Sequence, residues 1–373
     1  MKKGTHRGAR KVRYAVVGLG HIAQVAALPA FSHARRNSVL AALVSDDERK
    51  MRTLARRYRA PLRSAYEDAD QLFASGDIDA VYIALPNSMH AEWTLRAARH
   101  GLHVLCEKPL AVTTKECEKM IQACRSAGVK LMTAYRLHFE RASLEAAKIA
   151  RGRRLGDLKF FASTFSMQVN RGNIRLDFEL GGGPLYDIGI YCINAVRSLF
   201  AAEPTHVWAN ATNSADPRFR EVPETVSAVL KFPADRVGTF TCSFGAADTS
   251  AYEVVGTRGS LRVDPAYEYA EGLGFELKIG ERRQRRKFAK SDQFAPEFLY
   301  FSDCILRDVE PEPSGEEGLI DVRIIEALRA SMQSGRYVET GLRQRERRPT
   351  LRQEIRRPGV RKPSTVNVQQ PHS

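Results

Sequence analysis

Short apolar runs alternate with stretches of helical spacing over the first third of the chain. The runs occupy residues 12–17, 39–44, 79–84, 102–105 and 130–134. Helical spacing follows at residues 48–58, 67–73, 90–100 and 113–127. Strands that alternate with helices through short connections are typical of a parallel, doubly wound sheet. We therefore predict an α/β domain over residues 13–136.

The pattern changes after a helix predicted near residues 139–150. Runs with strand spacing follow at residues 158–166, 205–211, 225–232, 237–244 and 250–256. Turn sequences at 233–235 and 257–260 favour antiparallel neighbours. We therefore predict an α+β domain over residues 137–340, built on a large, open and mostly antiparallel sheet. A sheet face without helices needs a partner, so we expect a homodimer or homotetramer that associates through this sheet.

A glycine motif connects the first predicted strand to the helical spacing that follows it. Gly18-Leu19-Gly20-His21-Ile22-Ala23 has the pattern GxGxxA. In this pattern Gly18 permits a tight turn and Gly20 lets the backbone approach a phosphate. The strand before it and the helix after it place a pyrophosphate at a helix N-terminus. The motif therefore predicts a dinucleotide cofactor.

The end of the second predicted strand bears on which dinucleotide is bound. The strand ends in Ser45, and Arg49 and Lys50 lie within the next turn. An acid at this position would bind the ribose diol of NAD, whereas a hydroxyl with cations suits the 2′-phosphate of NADP. Asp46 stands next to Ser45 and weakens the distinction. The sequence favours NADP, with NAD as the less favoured alternative.

Glu107-Lys108-Pro109 follows the strand predicted at residues 102–105. Open α/β sheets bind their ligands at the carboxyl ends of the strands. The other carboxyl ends of this predicted sheet lie at residues 18–21, 45, 85–90 and 135–136. We therefore expect Lys108 at the ligand-binding edge of the sheet.

A glycine run introduces a second candidate cluster. Gly181-Gly182-Gly183 precedes Pro184 and an apolar helix that carries Asp187 and Tyr191. The glycines predict a flexible approach, and the proline predicts a helix start. Asp187 and Tyr191 are four residues apart and project from one helix face. A buried acid and phenol need partners, so the pair is either a satisfied structural contact or part of a site.

The net charge of +15 is concentrated at the two ends of the 373-residue chain. Residues 1–13 carry +6 and residues 341–373 carry +7. A basic face for nucleic acid would instead place the charge on the folded body. We therefore expect a basic N-terminal arm (1–12), an arginine-rich disordered tail (341–373) and no specific nucleic-acid partner. Weak binding of the tails to nucleic acid or anionic surfaces is the alternative.

Composition excludes several other classes. The 43% hydrophobic and 27% charged residues are typical of a soluble globular protein. No apolar run reaches the roughly 18 residues that span a bilayer, and the start lacks the apolar core of a secretory signal. The six cysteines form no CxxC pair and no zinc-like cluster, so we expect reduced thiols and no metal site. These features favour a cytoplasmic protein with no membrane contact.

Four motifs together resemble the glucose–fructose oxidoreductase/inositol dehydrogenase family. They are GLGHIA, LPNSMHA, CEKPLA and GGGPLYDIGIY, and the resemblance covers roughly residues 11–340. Tyr191, the strand end at Ser45 and residues 314–318 most resemble the glucose–fructose and aldose–aldose oxidoreductase branch. The resemblance implies a Rossmann domain, a C-terminal sheet domain that mediates oligomerisation, and tightly held NADP. Members of that branch named for glucose–fructose exchange are typically exported, and the arginine-rich tail has no counterpart in them.

The resemblance also implies roles for individual residues. Lys108, Asp187 and Tyr191 would be catalytic. The cofactor contacts would be Gly18, Leu19, Gly20, His21, Ile22, Ser45, Lys50, Leu85, Pro86, Asn87, His90, Glu107, Lys108, Tyr135, Arg136, Arg175 and Tyr269.

The predicted activity is hydride transfer between a sugar, or a related polyol or cyclitol, and nicotinamide. Tyr191 would act as general acid/base beside the ammonium of Lys108, which would stabilise a developing oxyanion. Asp187 would orient the sugar hydroxyl or tune the tyrosine. If NADP stays bound, a second sugar would accept the hydride. The alternatives are an NAD-dependent inositol or sugar dehydrogenase with freely exchanging cofactor, and a catalytically inactive cofactor-binding regulator.

Overall fold

The computed structural model describes residues 10–368, so most of the predicted N-terminal arm lies outside the described residues. The first sheet contains β1 (Val12–Val17), β2 (Ser38–Val44), β3 (Leu62–Ser64), β4 (Ala80–Ile83), β5 (His103–Glu107) and β6 (Leu131–Ala134). Its order is β3-β2-β1-β4-β5-β6, and all pairs are parallel. This confirms the predicted doubly wound sheet. The strand order reverses between β1 and β4, which is where such sheets bind ligands.

Helices pack on both sheets. They are α1 (Leu28–Ala30), α2 (Glu48–Tyr58), α3 (Ala69–Ala74), α4 (His90–Arg99), α5 (Thr114–Ser126), α6 (Arg141–Arg151), α7 (Ile190–Phe200), α8 (Ala295–Arg307) and α9 (Gly315–Ser334). Two π-helical stretches, Ala23–Ala27 and Leu185–Gly189, lead into α1 and α7. None of the described helices is both long and apolar enough to cross a membrane.

The second sheet is larger and mixed. It contains β7 (Leu158–Ser166), β8 (His206–Thr212), β9 (Thr225–Phe232), β10 (Arg236–Ser243), β11 (Thr249–Gly256), β12 (Gly259–Val263), β13 (Gly274–Ile279), β14 (Arg282–Lys287) and β15 (Val338–Glu339). The order is β14-β13-β12-β11-β7-β10-β9-β8-β15, and the β10–β7 pair is parallel whereas the other pairs are antiparallel. The predicted open, mostly antiparallel sheet is confirmed, and four further strands, β12 to β15, extend it.

One face of the second sheet is apolar and packs against α6, α7 and α9. The opposite face presents polar side chains, and Thr164, Ser227, Thr241, Glu253 and Arg262 line a shallow depression on it. Apolar and polar side chains therefore alternate along these strands, as expected for a sheet that has one face covered by helices.

The chain returns to the first domain after building the second sheet. The ring of Phe298, on α8, lies 5.3 Å from that of Tyr14 and 4.4 Å from that of Phe31. Ser302, one turn along α8, has its Oγ 2.8 Å from the hydroxyl oxygen of Tyr14. Helix α8 therefore belongs to the core of the first domain, although the sequence division assigned residues 137–340 to the second.

The described part of the arginine-rich tail, residues 341–368, packs against the body and differs there from the disorder predicted for residues 341–373. Arg345 lies 2.6 Å from a carboxylate oxygen of Glu312 and 2.5 Å from one of Glu317. Arg348, with 6% of its side chain exposed, contacts Glu203, whose side chain is fully buried, at 2.5 Å. The tail adheres because these acids need cationic partners once they are buried. Charge counting along the sequence cannot show which acids the fold buries.

Candidate active site

A cavity of about 970 Å³ lies between the carboxyl edge of the first sheet and the apolar face of the second. The loops after β1, β2, β4 and β5 line one side of it. The π-helical stretch before α7, the end of β7 and the start of β11 line the other side. The cavity therefore brings together residues that are far apart in the sequence.

The glycine motif forms the floor at one end of the cavity. Gly18 has a φ of +89°, and a Cβ there would lie 2.5 Å from the carbonyl oxygen of Ala84. Gly20 also lines the cavity, and a Cβ on it would point into open space. The first glycine is therefore required by the close approach to β4, and the second keeps free the space that a pyrophosphate needs. These residues fit a dinucleotide.

Ser45, Lys50 and Tyr66 line the same end of the cavity. Asp46 points elsewhere, because its Oδ1 accepts a hydrogen bond from the backbone N–H of Tyr66 at 2.7 Å. Asp47 caps α2 by accepting from the N–H of Lys50 at 2.9 Å. Neither acid lines the cavity, whereas Ser45 and Lys50, which carry a hydroxyl and an ammonium, do. This chemistry fits a ribose 2′-phosphate, which is the feature that separates NADP from NAD.

Lys108 and Asp187 meet at the centre of the cavity. Lys108 Nζ donates to Asp187 Oδ1 at 3.0 Å and to the Asp187 carbonyl oxygen at 2.7 Å. Burial disfavours the ammonium, but Asp187, Tyr191 and Glu107 outweigh burial and raise the pKa of Lys108. Lys108 is therefore a fixed cation at neutral pH.

Arg175 holds the other carboxylate oxygen of Asp187. Its Nε donates to Asp187 Oδ2 at 2.6 Å. Burial favours the neutral acid, but Arg175 and Lys108 outweigh burial and hold the pKa of Asp187 well below its ordinary range. An acid with a cation on each oxygen cannot exchange a proton at neutral pH. Asp187 therefore positions its two cationic neighbours.

The glycine run before this helix is tightly packed, which contradicts the predicted flexible approach. A Cβ on Gly181 would lie 2.6 Å from Val112, and one on Gly182 would lie 2.5 Å from the carbonyl oxygen of Arg175. The N–H of Gly183 donates to the same carbonyl oxygen of Arg175 at 2.9 Å. Glycine is needed here for close approach, and the resulting turn fixes Arg175 against Asp187.

Tyr191 lies between two cations. Lys108 Nζ is 4.9 Å and the Arg136 guanidinium carbon is 5.0 Å from the centre of its ring. The ring of Tyr191 also lies 5.7 Å from that of Phe165 and 5.9 Å from that of Tyr267. Negative charge that develops at or near the phenol would therefore be stabilised in a pocket with aromatic walls.

Two further predicted residues act as supports within the cavity wall. Glu107 accepts a hydrogen bond from the Tyr82 hydroxyl at 2.5 Å, and burial raises the pKa of Glu107. His90 is fully buried, and its ring nitrogens lie 2.8 Å from the Pro109 carbonyl oxygen and 3.0 Å from that of Leu85. His90 therefore joins the loops that follow β4 and β5.

The cavity contains all the predicted catalytic and cofactor residues except Tyr135. The Tyr135 hydroxyl donates to Asp321 Oδ2 at 2.5 Å, in a buried polar cluster beside the cavity. Sequence reasoning missed several lining residues: Tyr66, Ser166, Asp248, Ser250, Tyr267, Glu268 and Phe294. Tyr66 follows β3, whose three residues give no apolar pattern. The others come from the strands and loops of the second sheet and from the residue before α8, and their placement depends on contacts distant in sequence.

Two family profiles match this chain. The first, described as "Oxidoreductase family, NAD-binding Rossmann fold", matches residues 12–135. The second, described as "GFO/IDH/MocA C-terminal domain", matches residues 143–262. Together they cover both sides of the cavity.

Individual proteins are similar over most of their length. The D-xylose 1-dehydrogenase (NADP(+)) 2 of Haloferax volcanii is 32% identical over 330 residues, which cover 87% of this chain and 99% of that protein. The crystal structure of aldose–aldose oxidoreductase from Caulobacter crescentus, complexed with glycerol, has 37% identity and a TM-score of 0.85, and the match covers 88% of this chain and 100% of that one. A 3-ketoreductase from Actinomadura kijaniata, solved with NADP and TDP-benzene, has 27% identity and a TM-score of 0.78 over 86% of this chain and 98% of that one.

Proposed function

This chain belongs to the GFO/IDH/MocA family of oxidoreductases, and we propose that it is an NADP-dependent enzyme that transfers hydride between an aldose and the cofactor. The observation that carries the proposal is the cluster of Lys108, Asp187 and Tyr191 in a cavity that also contains the glycine motif. The cluster contains a fixed cation and a phenol beside the space for a dinucleotide. The similar D-xylose dehydrogenase and aldose–aldose oxidoreductase support an aldose as substrate.

The residues of this chain would handle the proton while the nicotinamide, when bound, accepts or delivers the hydride. Tyr191 would take the proton of the sugar hydroxyl at its phenolic oxygen and return it in the reverse direction. Lys108 would stabilise the oxyanion that develops during this transfer. Asp187 would keep Lys108 charged and oriented, because its carboxylate already pairs with Lys108 and Arg175.

NADP is the proposed cofactor because of the lining at the adenosine end. Ser45 and Lys50 line the cavity there, while Asp46 is not among the lining residues and its carboxylate accepts from the backbone N–H of Tyr66. A hydroxyl and an ammonium would bind a 2′-phosphate and gain little from a bare ribose. In this proposal the other predicted cofactor residues that line the cavity also contact the dinucleotide. Tyr135 is the exception, because its hydroxyl donates to Asp321.

We also propose that a second sugar can receive the hydride while the cofactor stays bound. A second idea is that the open face of the second sheet joins copies of the chain. The second idea is supported by the depression on that face, whose lining residues all belong to strands, so that none of the described helices covers it there. A cytoplasmic location stays a prediction, and it is consistent with six buried cysteines that form no disulfide among the described residues.

The test measures formation of reduced nicotinamide when the purified protein is mixed with NADP⁺ or NAD⁺ and a panel of aldoses, polyols and cyclitols. We expect at least one aldose to react, with NADP⁺ preferred. Lys108→Ala should abolish the signal, whereas the matched variant Lys130→Ala should retain it, because Lys130 pairs with Asp308 and Glu310 at the surface. A protein that binds NADP⁺ but reduces it with none of these compounds would instead be a cofactor-binding regulator.

A second measurement separates retained from exchanging cofactor. If NADP is retained, the protein as purified should carry nicotinamide absorbance, and an aldose should reduce that bound cofactor without any addition. A second sugar should then reoxidise it. Protein that is free of cofactor after purification and needs added NADP⁺ in each turnover would contradict retention.

A further inference from the structure

The last described residues of the C-terminal tail lie on the first domain, where Asn367 contacts Asp47 at the start of α2. Along the way, the Arg357 side chain donates to the carbonyl oxygen of His33 at 3.2 Å. Arg57, on α2, then donates to the carbonyl oxygen of Ser364 at 2.6 Å. We refer to residues 364–367 as the terminal segment. It lies on the outer side of the loops that line the cavity.

Gln24 links the terminal segment to the glycine motif. Gln24 directly follows the glycine motif in the sequence, and its side chain is fully buried. Its Nε2 donates to the Leu19 carbonyl oxygen at 2.8 Å and to the Val366 carbonyl oxygen at 3.0 Å, and its Oε1 accepts from the Val366 N–H at 2.7 Å. The amide therefore bridges the pyrophosphate loop and the tail. Without Val366 a buried amide would lose two of these three hydrogen bonds, which would loosen its hold on Leu19.

Asp47 links the terminal segment to Lys50. Its Oδ2 accepts from Asn367 Nδ2 at 2.7 Å and lies 3.6 Å from Lys50 Nζ. Asn367 therefore shares this carboxylate oxygen with the ammonium of Lys50, which pairs with it at the longer distance. If Asn367 were absent, Oδ2 would be free to draw Lys50 out of the cavity and to bring negative charge toward the position of a 2′-phosphate. Both effects would oppose NADP and leave NAD nearly unaffected.

We propose that the terminal segment is part of the cofactor site and determines its specificity. Val366 holds the pyrophosphate loop through Gln24, and Asn367 directs Lys50 toward the 2′-phosphate by engaging Asp47. The two contacts act on different parts of the dinucleotide. Losing the Asn367 contact should therefore weaken binding of NADP alone, whereas losing the Val366 contact should weaken binding of both dinucleotides. The inference takes NADP as ligand from the proposed function and adds the tail as a positioning element.

The test is calorimetric titration of the full-length protein with NADP⁺ and, separately, with NAD⁺. Asn367→Ala should raise the Kd for NADP⁺ by roughly tenfold and the Kd for NAD⁺ by less than about twofold. The variant loses the hydrogen bond from Asn367 to the Asp47 carboxylate, and that carboxylate acts on the 2′-phosphate, which NAD⁺ lacks. Val366→Pro removes the backbone N–H that donates to Gln24 Oε1, and it should raise both Kd values by a similar factor. Lys362→Ala, which removes an exposed charge from the same tail, is the matched control and should change neither Kd.

A second readout follows the protein itself. Amide hydrogen exchange of residues 18–24 should become faster in Val366→Pro and stay unchanged in Asn367→Ala and Lys362→Ala. Asn367→Ala and Lys362→Ala change exposed side chains and should keep the thermal stability of the wild type, whereas Val366→Pro should lower it slightly because the buried amide of Gln24 loses hydrogen bonds. If wild-type protein fails to bind NADP⁺, the proposed cofactor is wrong. If wild-type protein binds NADP⁺ and Asn367→Ala keeps the same NADP⁺/NAD⁺ ratio, the specificity role of the terminal segment is refuted.

Discussion

Replacing Asp187 by asparagine tests whether this residue serves to hold Lys108 and Arg175. The substitution keeps the shape of the side chain and removes its charge. One carboxylate oxygen accepts from Lys108 at 3.0 Å and the other from Arg175 at 2.6 Å. An asparagine can accept from only one of these cations and must turn its NH₂ group toward the other.

The magnitude follows from burial. The side chains of Lys108, Asp187 and Arg175 are 12%, 18% and 26% exposed, so solvent screens their interaction only in part. Removing one partner of a buried pair costs about 3–5 kcal/mol, and partial exposure places the expected loss at the lower end, about 3 kcal/mol. Loss of an electrostatic group that acts on the reacting centre lowers kcat by about 10²–10³-fold. We expect both losses in Asp187→Asn.

The pH dependence separates positioning from a simple loss of structure. In the wild type the pKa of Lys108 is raised, because Asp187 and its neighbours outweigh burial. Without the carboxylate, burial should dominate and move the pKa of Lys108 below the ordinary value. The ammonium would then be lost at lower pH, so the alkaline limb of kcat/KM should move to lower pH in the variant.

Asp308→Asn is the matched control. It removes the same charge from a lysine–aspartate pair with a similar distance, 2.9 Å, but Asp308 is 91% exposed. Pairs with a solvent-exposed partner contribute little to stability, so the stability, the turnover and the pH profile should stay close to those of the wild type. An Asp187→Asn variant that lost activity and kept the wild-type alkaline limb would refute the positioning role, because Lys108 would then not depend on Asp187 for its charge.

Three further outcomes are expected. Tyr191→Phe should lower turnover by about 10²-fold or more while NADP⁺ binding measured by calorimetry stays unchanged, and near-normal turnover would exclude the phenol as acid/base. Gly18→Ala should lower thermal stability and weaken NADP⁺ binding, because its Cβ would lie 2.5 Å from the Ala84 carbonyl oxygen at a φ of +89°. Arg348→Ala should lower the free energy of unfolding by about 3 kcal/mol, because the fully buried carboxylate of Glu203 loses one of its cations, and an unchanged urea midpoint would contradict a structural role for the tail.

The first domain could be predicted well because its signals are local. Apolar runs mark β1, β2, β4, β5 and β6, and chain order alone places their carboxyl ends at one edge. Lys108 and the glycine motif follow directly from that placement. The link between Lys108 and Asp187 came from the family resemblance, because the two residues are 79 positions apart and periodicity carries no information about their distance.

The remaining features depend on burial and on contacts between distant segments. Arg345 and Arg348 look like solvated charges until the fold shows that Glu203 and Glu317 are buried. The sequence predicts flexible glycines, yet Gly182 lies so close to the backbone of Arg175 that a Cβ would not fit. Tyr135 lies at a strand end, but its hydroxyl pairs with Asp321 because the ring faces the second domain.

The return of α8 to the first domain affects how the protein is made. Phe298 completes the aromatic core around Tyr14 and Tyr82, so the first sheet lacks part of its core until residue 307 has left the ribosome. By then the strands of the second sheet up to β14 have been translated. Domains usually fold one after another during synthesis, N-terminal first. Here the nucleotide-binding half must wait for the other half, and a nascent chain released after residue 136 would expose an unfinished apolar face to chaperones and proteases.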